Sequence, residues 1–260
     1  MNLPQLLALY DQDQRIDVQY PLMERQLLPD LVRHVNTAST GQGMVIYAHL
    51  TETTIDAAIR EQIAFFTKVG QDFEWKVYQH DSPADLLARL TAFGFEIGNP
   101  EAILIMETEH APAILRRPAT HPIRRVTDVA EIEVIRQVEE AVWQEDHHEL
   151  VQQLRETFVD YPSHLSLYIG YVADRPVSCA WSNFPEGSQF ASFWGGSTLE
   201  EFRGRGLYTA MLAVRVQEAI ERGRPYLTVD AGPMSRPILE KFGFQLLDIS
   251  HPCVYHVNGA

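Results

Sequence analysis

Cysteine is scarce in this sequence: Cys179 and Cys253 are the only two in 260 residues. That rules out a dense disulfide framework and a four-cysteine zinc site. The ten histidines are scattered, His147-His148 is the only adjacent pair, and no His/Cys set has zinc-like spacing, so no metal is expected. Positive charge is also short. Lys plus Arg is 21 against 35 Asp plus Glu, a net charge of −14. A nucleic-acid binder needs a basic face to displace counterions, and an anionic membrane surface recruits a polybasic one. Neither partner is expected. No stretch approaches the roughly 18 apolar residues of a spanning helix. The N-terminal run MNLPQLLALYDQDQRID has no basic region before its apolar part, and Asp11, Asp13 and Asp17 follow at once. It does not read as a targeting segment, so a cytoplasmic protein is expected.

What is present fits a globular chain, with 45% hydrophobic and 22% charged residues. The length allows one large domain or two of ordinary size. The acid is uneven: residues 1–110 hold 16 Asp/Glu and 7 Lys/Arg (−9), and the rest hold 19 and 14 (−5). Between the halves, His110-Ala-Pro-Ala-Ile-Leu-Arg-Arg-Pro-Ala-Thr-His-Pro122 carries three prolines in eleven residues. Proline fixes φ and restricts its predecessor, so 111–122 reads as an extended linker. Alternating strand and helix patterns flank it, which predicts an α+β, layered α/β, architecture.

Beyond the linker the pattern predicts a strand at Ile123–Val126, a helix capped by Asp128 and running to about Trp143, and a helix at about Glu149–Phe158. A hairpin of Leu165–Val172 and Val177–Ser182 follows, then a strand at Gln189–Thr198. A helix at Leu207–Arg222 stops at Gly223. A strand at Tyr226–Asp230 and a short helix at Ser235–Phe242 come next, and Gln245–Val257 should supply two closing strands. The first half echoes this order. Gly43–Leu50 reads as a strand and Ile55–Val69 as a helix ended by Gly70. Phe73–Tyr78 then precedes Ser82…Phe93-Gly-Phe95, as Tyr226–Asp230 precedes Ser235…Phe242-Gly-Phe244.

The chemistry concentrates in Phe202-Arg-Gly-Arg-Gly-Leu-Tyr208, between a strand and a helix. Glycine allows positive φ and close approach of a ligand to the backbone. The helix behind it offers unpaired N–H groups and a positive dipole end. Together they suit phosphate oxygens, with Arg203 and Arg205 adding charge. The alternative is a solvated turn. A P-loop does not fit, because Gly-x4-Gly-Lys-Ser/Thr is missing. Nor does a dinucleotide fingerprint, which needs a third glycine. Gly195-Gly196 suits a bulge that splays two strands, or close packing against an aromatic side chain. Trp181 and Trp194 read as core aromatics, and Cys179 and Cys253 as small core residues.

Arg203-Gly-Arg-Gly-Leu-Tyr208 resembles the Arg/Gln-x-x-Gly-x-Gly/Ala acyl-CoA loop of the GNAT acetyltransferase superfamily. Ser235…Leu239-Glu-Lys-Phe-Gly-Phe244 is similar to that family's late helix ending in Gly-Phe. The resemblance covers about 123–257. It implies two GNAT-like domains, each a mixed, mostly antiparallel twisted sheet flanked by helices. Residues 1–110 would be a degenerate copy, whose loop Thr51-Glu-Thr-Thr54 has neither glycine nor arginine. Residues 123–260 would be the acetyltransferase domain.

The resemblance implies acetyl-CoA as cosubstrate and a primary amine, on a small molecule or peptide, as acceptor. Backbone groups of Gly196, Ser197 and Thr198 would meet the pantetheine arm and thioester. The N–H groups of Arg203, Gly204, Arg205, Gly206, Leu207 and Tyr208 would hold the pyrophosphate, with Ser235 also at the cofactor. Three positions depart from the family. Tyr208 replaces a small residue, and Leu239 stands where a tyrosine often protonates the leaving thiolate. Gly232 stands seven residues earlier, where Asn is common. Acid candidates are therefore Tyr208, Tyr226 and Ser235, and base candidates are Asp230, Glu139 and Glu140. A monomer or homodimer is expected. The competing readings are a non-catalytic acyl-CoA-binding or regulatory module, motivated by Leu239, and a purely structural pairing domain.

Overall fold

The computed structural model describes residues 2–38 and 40–257. In chain order the elements begin α1 (Leu3–Tyr10), β1 (Met23–Leu28), β2 (Leu31–Asn36), β3 (Gly43–Ala48), α2 (Ile55–Val69), β4 (Phe73–Tyr78), α3 (Leu86–Ala92), β5 (Glu96–Ile97) and β6 (Glu101–Glu107). They continue α4 (Ala113–Arg116), β7 (Ile123–Arg125), α5 (Ile132–Trp143), α6 (His148–Asp160), β8 (Leu165–Val172), β9 (Arg175–Asn183) and β10 (Phe190–Thr198). The last are α7 (Leu207–Glu221), β11 (Tyr226–Ala231), α8 (Arg236–Lys241) and β12 (Gln245–Tyr255). Two compact units emerge that do not follow chain order. The first gathers 1–104, 231–236 and 246–260; the second gathers 105–230 and 237–245.

In the first unit the strands run β1-β2-β3-β4-β12, with β5 added on β12. β3 and β4 are parallel, and the other pairs are antiparallel. Helix α2 buries Ile55, Ile59, Gln62 and Phe66, a stripe at helical spacing. Gly70, at φ 75°, ends it as the sequence predicts. Phe66 stacks on Phe73 at 4.3 Å, and a Cβ on Gly43 would lie 2.2 Å from the Phe66 ring. The expected pair of closing strands is one strand, β12, which pairs with β4 from Tyr255↔Phe73 to Ser250↔Tyr78. Its buried positions Leu247, Ser250 and Cys253 recur every third residue, which masks the period-two signal of a strand. Pro252 fits because its carbonyl, and not an N–H, makes the local bond, accepting from Gly98 N at 2.8 Å.

In the second unit the strands run β11-β10-β9-β8-β7. The β8–β9 hairpin turns at Ala173 (φ 47°) and Asp174 (φ 63°), both left-handed as a two-residue turn of this hand requires. Asp128 forms a capping box with Glu131 ahead of α5. Leu167, Ile169 and Cys179 face α5 and α6, where they meet Ile132, Ile135, Val138, Val151 and Leu154. Tyr168 and Ala180, alternating with them, meet Met211 of α7. The linker read as extended contains α4. Leu115 there is fully buried, and Gln217 Nε2 donates to the carbonyls of Leu115 (3.1 Å) and Arg117 (2.8 Å). One apolar anchor between the prolines fastens the segment.

Part of the first half's acid excess is used inside the first unit. Asp11–Ile16 form a π-helical turn that directs Arg15 inward, where it is fully buried. Its guanidinium donates to both oxygens of Asp81 at 2.7 and 2.8 Å and to Asp11 at 2.8 Å, and lies 3.9 Å from the Tyr78 ring centre. His80 bridges Asp11 (2.9 Å) and Asp248 (2.5 Å). The hydrogen bonds to those carboxylates hold its imidazolium, raising its pKa from 6.5 to about 9 against the opposing effects of burial and Arg15. The folded state thus binds this proton more tightly than the unfolded state. The stabilisation is complete below pH 6.5 and is lost as pH rises through 9. Urea unfolding across pH 6.5–9 should show stability falling in the native chain and a flatter profile in His80→Gln. An unchanged slope in the variant would contradict this linkage.

Candidate functional site

Strands β10 and β11 pair in parallel from Phe190↔Tyr226 to Phe193↔Val229. Beyond that point Trp194–Thr198 stay paired with β9 alone among the described strands, through a register shift between Gly195 and Ser197. The two parallel strands therefore part company at Trp194 and Asp230. Gly195 (φ 66°) and Gly196 (φ 95°) make the bulge possible. A Cβ on Gly195 would stand 2.5 Å from the Trp181 ring. Both sequence readings of the glycine pair hold at once. Trp181 is a core aromatic, but Trp194 is not: it is 41% exposed, beside the split.

The loop from Leu199 to Gly206 carries β10 into α7. Gly204 (φ 72°) and Gly206 (φ 87°) are left-handed, and Gly206 caps α7 without any side-chain cap. Ala210 N donates to Gly206 O, the first turn of the helix. The amides just ahead of it have no carbonyl one turn back within the helix to accept them. Arg203 departs from expectation. Its N–H donates to Glu200 O at 3.1 Å, and its Nε to Thr198 O at 3.0 Å, so both serve the loop itself. Arg205 is exposed and lies 5.2 Å from the Phe202 ring centre. The open part of the cradle is thus Gly204 to Tyr208, with Arg205 as its flanking cation.

Ser197 and Thr198 are buried and cross-tied. Trp143 Nε1 donates to Ser197 Oγ at 3.0 Å, Ser178 Oγ donates to Ser197 O at 2.7 Å, and the Ser178 and Thr198 hydroxyls lie 2.9 Å apart. Tyr208 turns inward instead of over the loop. Its ring edge lies 3.4 Å from where a Cβ on Gly196 would stand. Burial pushes its phenol pKa up, against a smaller lowering by Arg215. Asp230 is half-buried and directly follows the last residue of β11 that pairs with β10. Leu239 is fully buried. Ser235, in the first unit's segment 231–236, donates from Oγ to Gly232 O at 3.3 Å.

Two acidic neighbours on α5 separate cleanly. Arg136 grips both oxygens of Glu140 at 2.8 Å, one turn away, so Glu140 belongs to a surface ion-pair chain. Glu139 is buried and accepts from the Cys179 thiol at 3.0 Å, and burial beside that carboxylate pushes the thiol pKa up. The helical period carries the signal: Glu139 falls on the stripe of Ile132, Ile135 and Val138. Arg215 was not singled out by the sequence. It is buried on α7, donating from Nε to Met211 O (3.2 Å) and from Nη1 to Trp194 O (3.3 Å).

The corresponding loop of the first unit, between β3 and α2, is closed on itself. Thr51 N donates to Thr54 Oγ1 at 3.0 Å, and the hydroxyls of Thr51, Thr53 and Thr54 lie within 3.1 Å along the chain of contacts. Thr54 N and Ile55 N both donate to Thr51 O at 3.1 Å. Three amides of this loop, those of Thr51, Thr54 and Ile55, are thus already occupied.

Solved structures share this architecture. A GCN5-related N-acetyltransferase from Kribbella flavida superposes with a TM-score of 0.69, covering 96% of this chain and 94% of its own at 14% identity. A functionally unknown conserved protein from Staphylococcus epidermidis gives 0.65, over 91% and 95% of the two chains at 12% identity. A tandem GNAT protein from the clavulanic acid biosynthesis pathway gives 0.59, over 99% and 95% at 10% identity. No protein-family profile and no curated protein matches the sequence. At these identities the likeness is one of fold: the chain has the tandem GNAT fold.

The bulge itself is testable. Gly195→Ala must accept a left-handed φ and displace the Trp181 ring, and it should cost about 1–3 kcal/mol. Denaturant unfolding measures this, and a loss below about 0.5 kcal/mol would show that the bulge relaxes freely.

Proposed function

We propose that this chain is an acetyl-CoA-dependent N-acetyltransferase acting on the primary amine of a small molecule or peptide, with its chemistry in the second unit. The observation that carries the reading is the open glycine cradle at the start of α7, set beside a β10 edge freed from β11. The residues fit the cofactor. The amides of Gly204 to Tyr208 would hold the pyrophosphate, with Arg205 supplying charge. Backbone groups of Gly196, Ser197 and Thr198 would line the pantetheine arm. Bound there, acetyl-CoA supplies an electrophilic thioester carbonyl and a thiolate leaving group.

Asp230, where β11 parts from β10, would take the amine proton as nitrogen bonds to the acyl carbon. Tyr208 would give its proton to sulfur as the carbon–sulfur bond breaks. Its raised pKa keeps the phenol protonated near neutral pH, as a proton source must be. This assigns to Tyr208 the work that Leu239, sealed in the core, does not perform. Glu140 is left out, because Arg136 engages it.

A second reading, a non-catalytic acyl-CoA-binding module, draws on Leu239. Calorimetry and thiol release separate the two. The native chain should bind acetyl-CoA, and Gly206→Asp, which sets a carboxylate in the cradle, should abolish binding. Across a panel of amines, peptides and polyamines at least one acceptor should release free thiol. Tyr208→Phe should lower turnover about a hundredfold while leaving acetyl-CoA affinity nearly intact. Absence of binding to the native chain would overturn both readings, and binding without thiol release would favour the second.

A further inference from the structure

Arg215 is a buried cation with no countercharge among the described residues. The side chain is fixed at two points, to Met211 O and Trp194 O, and its Cζ lies 4.9 Å from the Phe193 ring centre. A guanidinium carries five N–H donors. Its remaining terminal nitrogen, Nη2, makes no hydrogen bond among the described residues and lies 3.9 Å from where a Cβ on Gly196 would stand. The charged and titratable groups that act on it are Tyr208, Tyr168 and Cys179, all neutral near pH 7, and no carboxylate pairs with it among the described residues. Tyr168 gives its hydroxyl to Glu218, and the Cys179 thiol goes to Glu139. Burying an unpaired charge costs several kcal/mol. Natural chains pair such a group, or keep it for a ligand that does.

Position says which ligand part would meet it. Arg215 lies eight residues along α7 from Leu207, about 12 Å at 1.5 Å per residue. That is too far for it to serve a phosphate seated at the helix start. It binds the carbonyl of Trp194, the first residue of β10 past the parallel pairing, so it stands at the apex of the split. On the reading given above, the thioester lies against Gly196–Thr198, nearer the mouth. A group that extends past the thioester towards the apex reaches Nη2.

We propose that Arg215 receives a carboxylate at the far end of the acyl chain, so that the preferred donors are dicarboxylic acyl-CoA thioesters of malonyl or succinyl size. This rests on the second unit binding acyl-CoA. It extends the donor from acetyl to carboxyacyl groups. The transfer is unchanged in kind: the amine nitrogen bonds to the acyl carbon, the carbon–sulfur bond breaks, one proton leaves nitrogen and one reaches sulfur. The distal carboxylate stays ionised against Arg215 throughout. A fixed guanidinium–carboxylate hydrogen bond in a buried site is strong enough to dominate selectivity.

The test is calorimetric titration of the native chain, Arg215→Met and Arg215→Lys with free CoA, acetyl-CoA, malonyl-CoA and succinyl-CoA. In the native chain one of the carboxyacyl thioesters should bind at least about tenfold more tightly than acetyl-CoA. Arg215→Met should shrink that ratio to below about twofold, and Arg215→Lys should retain part of it. Thermal unfolding of each variant reports whether it folds, and if Arg215→Met does not, the native ranking and Arg215→Lys still decide. Acetyl-CoA binding as tightly as both carboxyacyl thioesters would overturn the proposal and leave the acetyltransferase reading standing. A preference that survives in Arg215→Met would do the same. Failure of every thioester and of free CoA to bind would overturn both.

Discussion

Two consecutive residues of β10 must be left-handed, and much of the second unit follows from that. Gly195 and Gly196 meet the requirement because they lack a Cβ, and the strand bulges there. The bulge lets the Trp181 ring close over Gly195 from one side. It turns the far half of β10 away from β11, so the backbone beyond Phe193 has one paired edge instead of two. It also brings Trp194 O to Arg215 and the Gly196 backbone to the edge of Tyr208. The parting of two strands, a buried tyrosine ring and a buried arginine thus share one backbone irregularity.

The two units show the same plan with and without its chemical part. Each has a strand, a helix and a second strand parallel to the first: β3–α2–β4 and β10–α7–β11. What differs is the loop between strand and helix. A threonine hydroxyl and a carbonyl occupy the amides of Thr51, Thr54 and Ile55 in one, while the other runs through the left-handed Gly204 and Gly206. The charge asymmetry has a structural side as well. Two aspartates of residues 1–110, Asp11 and Asp81, together with Asp248, hold Arg15 and His80 in place. That acid has an internal use before any role with a ligand.

Local chemistry made a good deal of this legible. The span of α2 and its stop at Gly70, the β8–β9 hairpin and the start of α7 at Leu207 follow from periodicity and glycine placement, which act over a few residues. The misses have tertiary causes. Strand β12 hides because its burial recurs every third residue, and α4 hides between prolines because one leucine, Leu115, anchors it. Arg15 and Arg215 read as ordinary charged residues in sequence. Their burial depends on partners 66 and 21 residues away, Asp81 and Trp194. Arg203 was assigned to a ligand on its position in a motif, yet its Nε donates to Thr198 O. Glu139 and Glu140 were both base candidates, and helical phase, read against Ile132 and Ile135, marks Glu139 as the inward one. The geometry of the Leu199–Gly206 loop was legible because it resides in backbone conformation, which glycine announces. The settings of Tyr208, Glu139 and Glu140 were not, because they reside in side-chain surroundings.

The central claim is that the second unit's loop is an open anion cradle and the first unit's is not. Hydrogen–deuterium exchange with and without saturating acetyl-CoA measures this at backbone resolution. The account predicts slowed exchange at Gly204–Tyr208 and along Gly196–Thr198, with no change at Thr51–Thr54. Protection at Thr51–Thr54, or none in either loop, would contradict it.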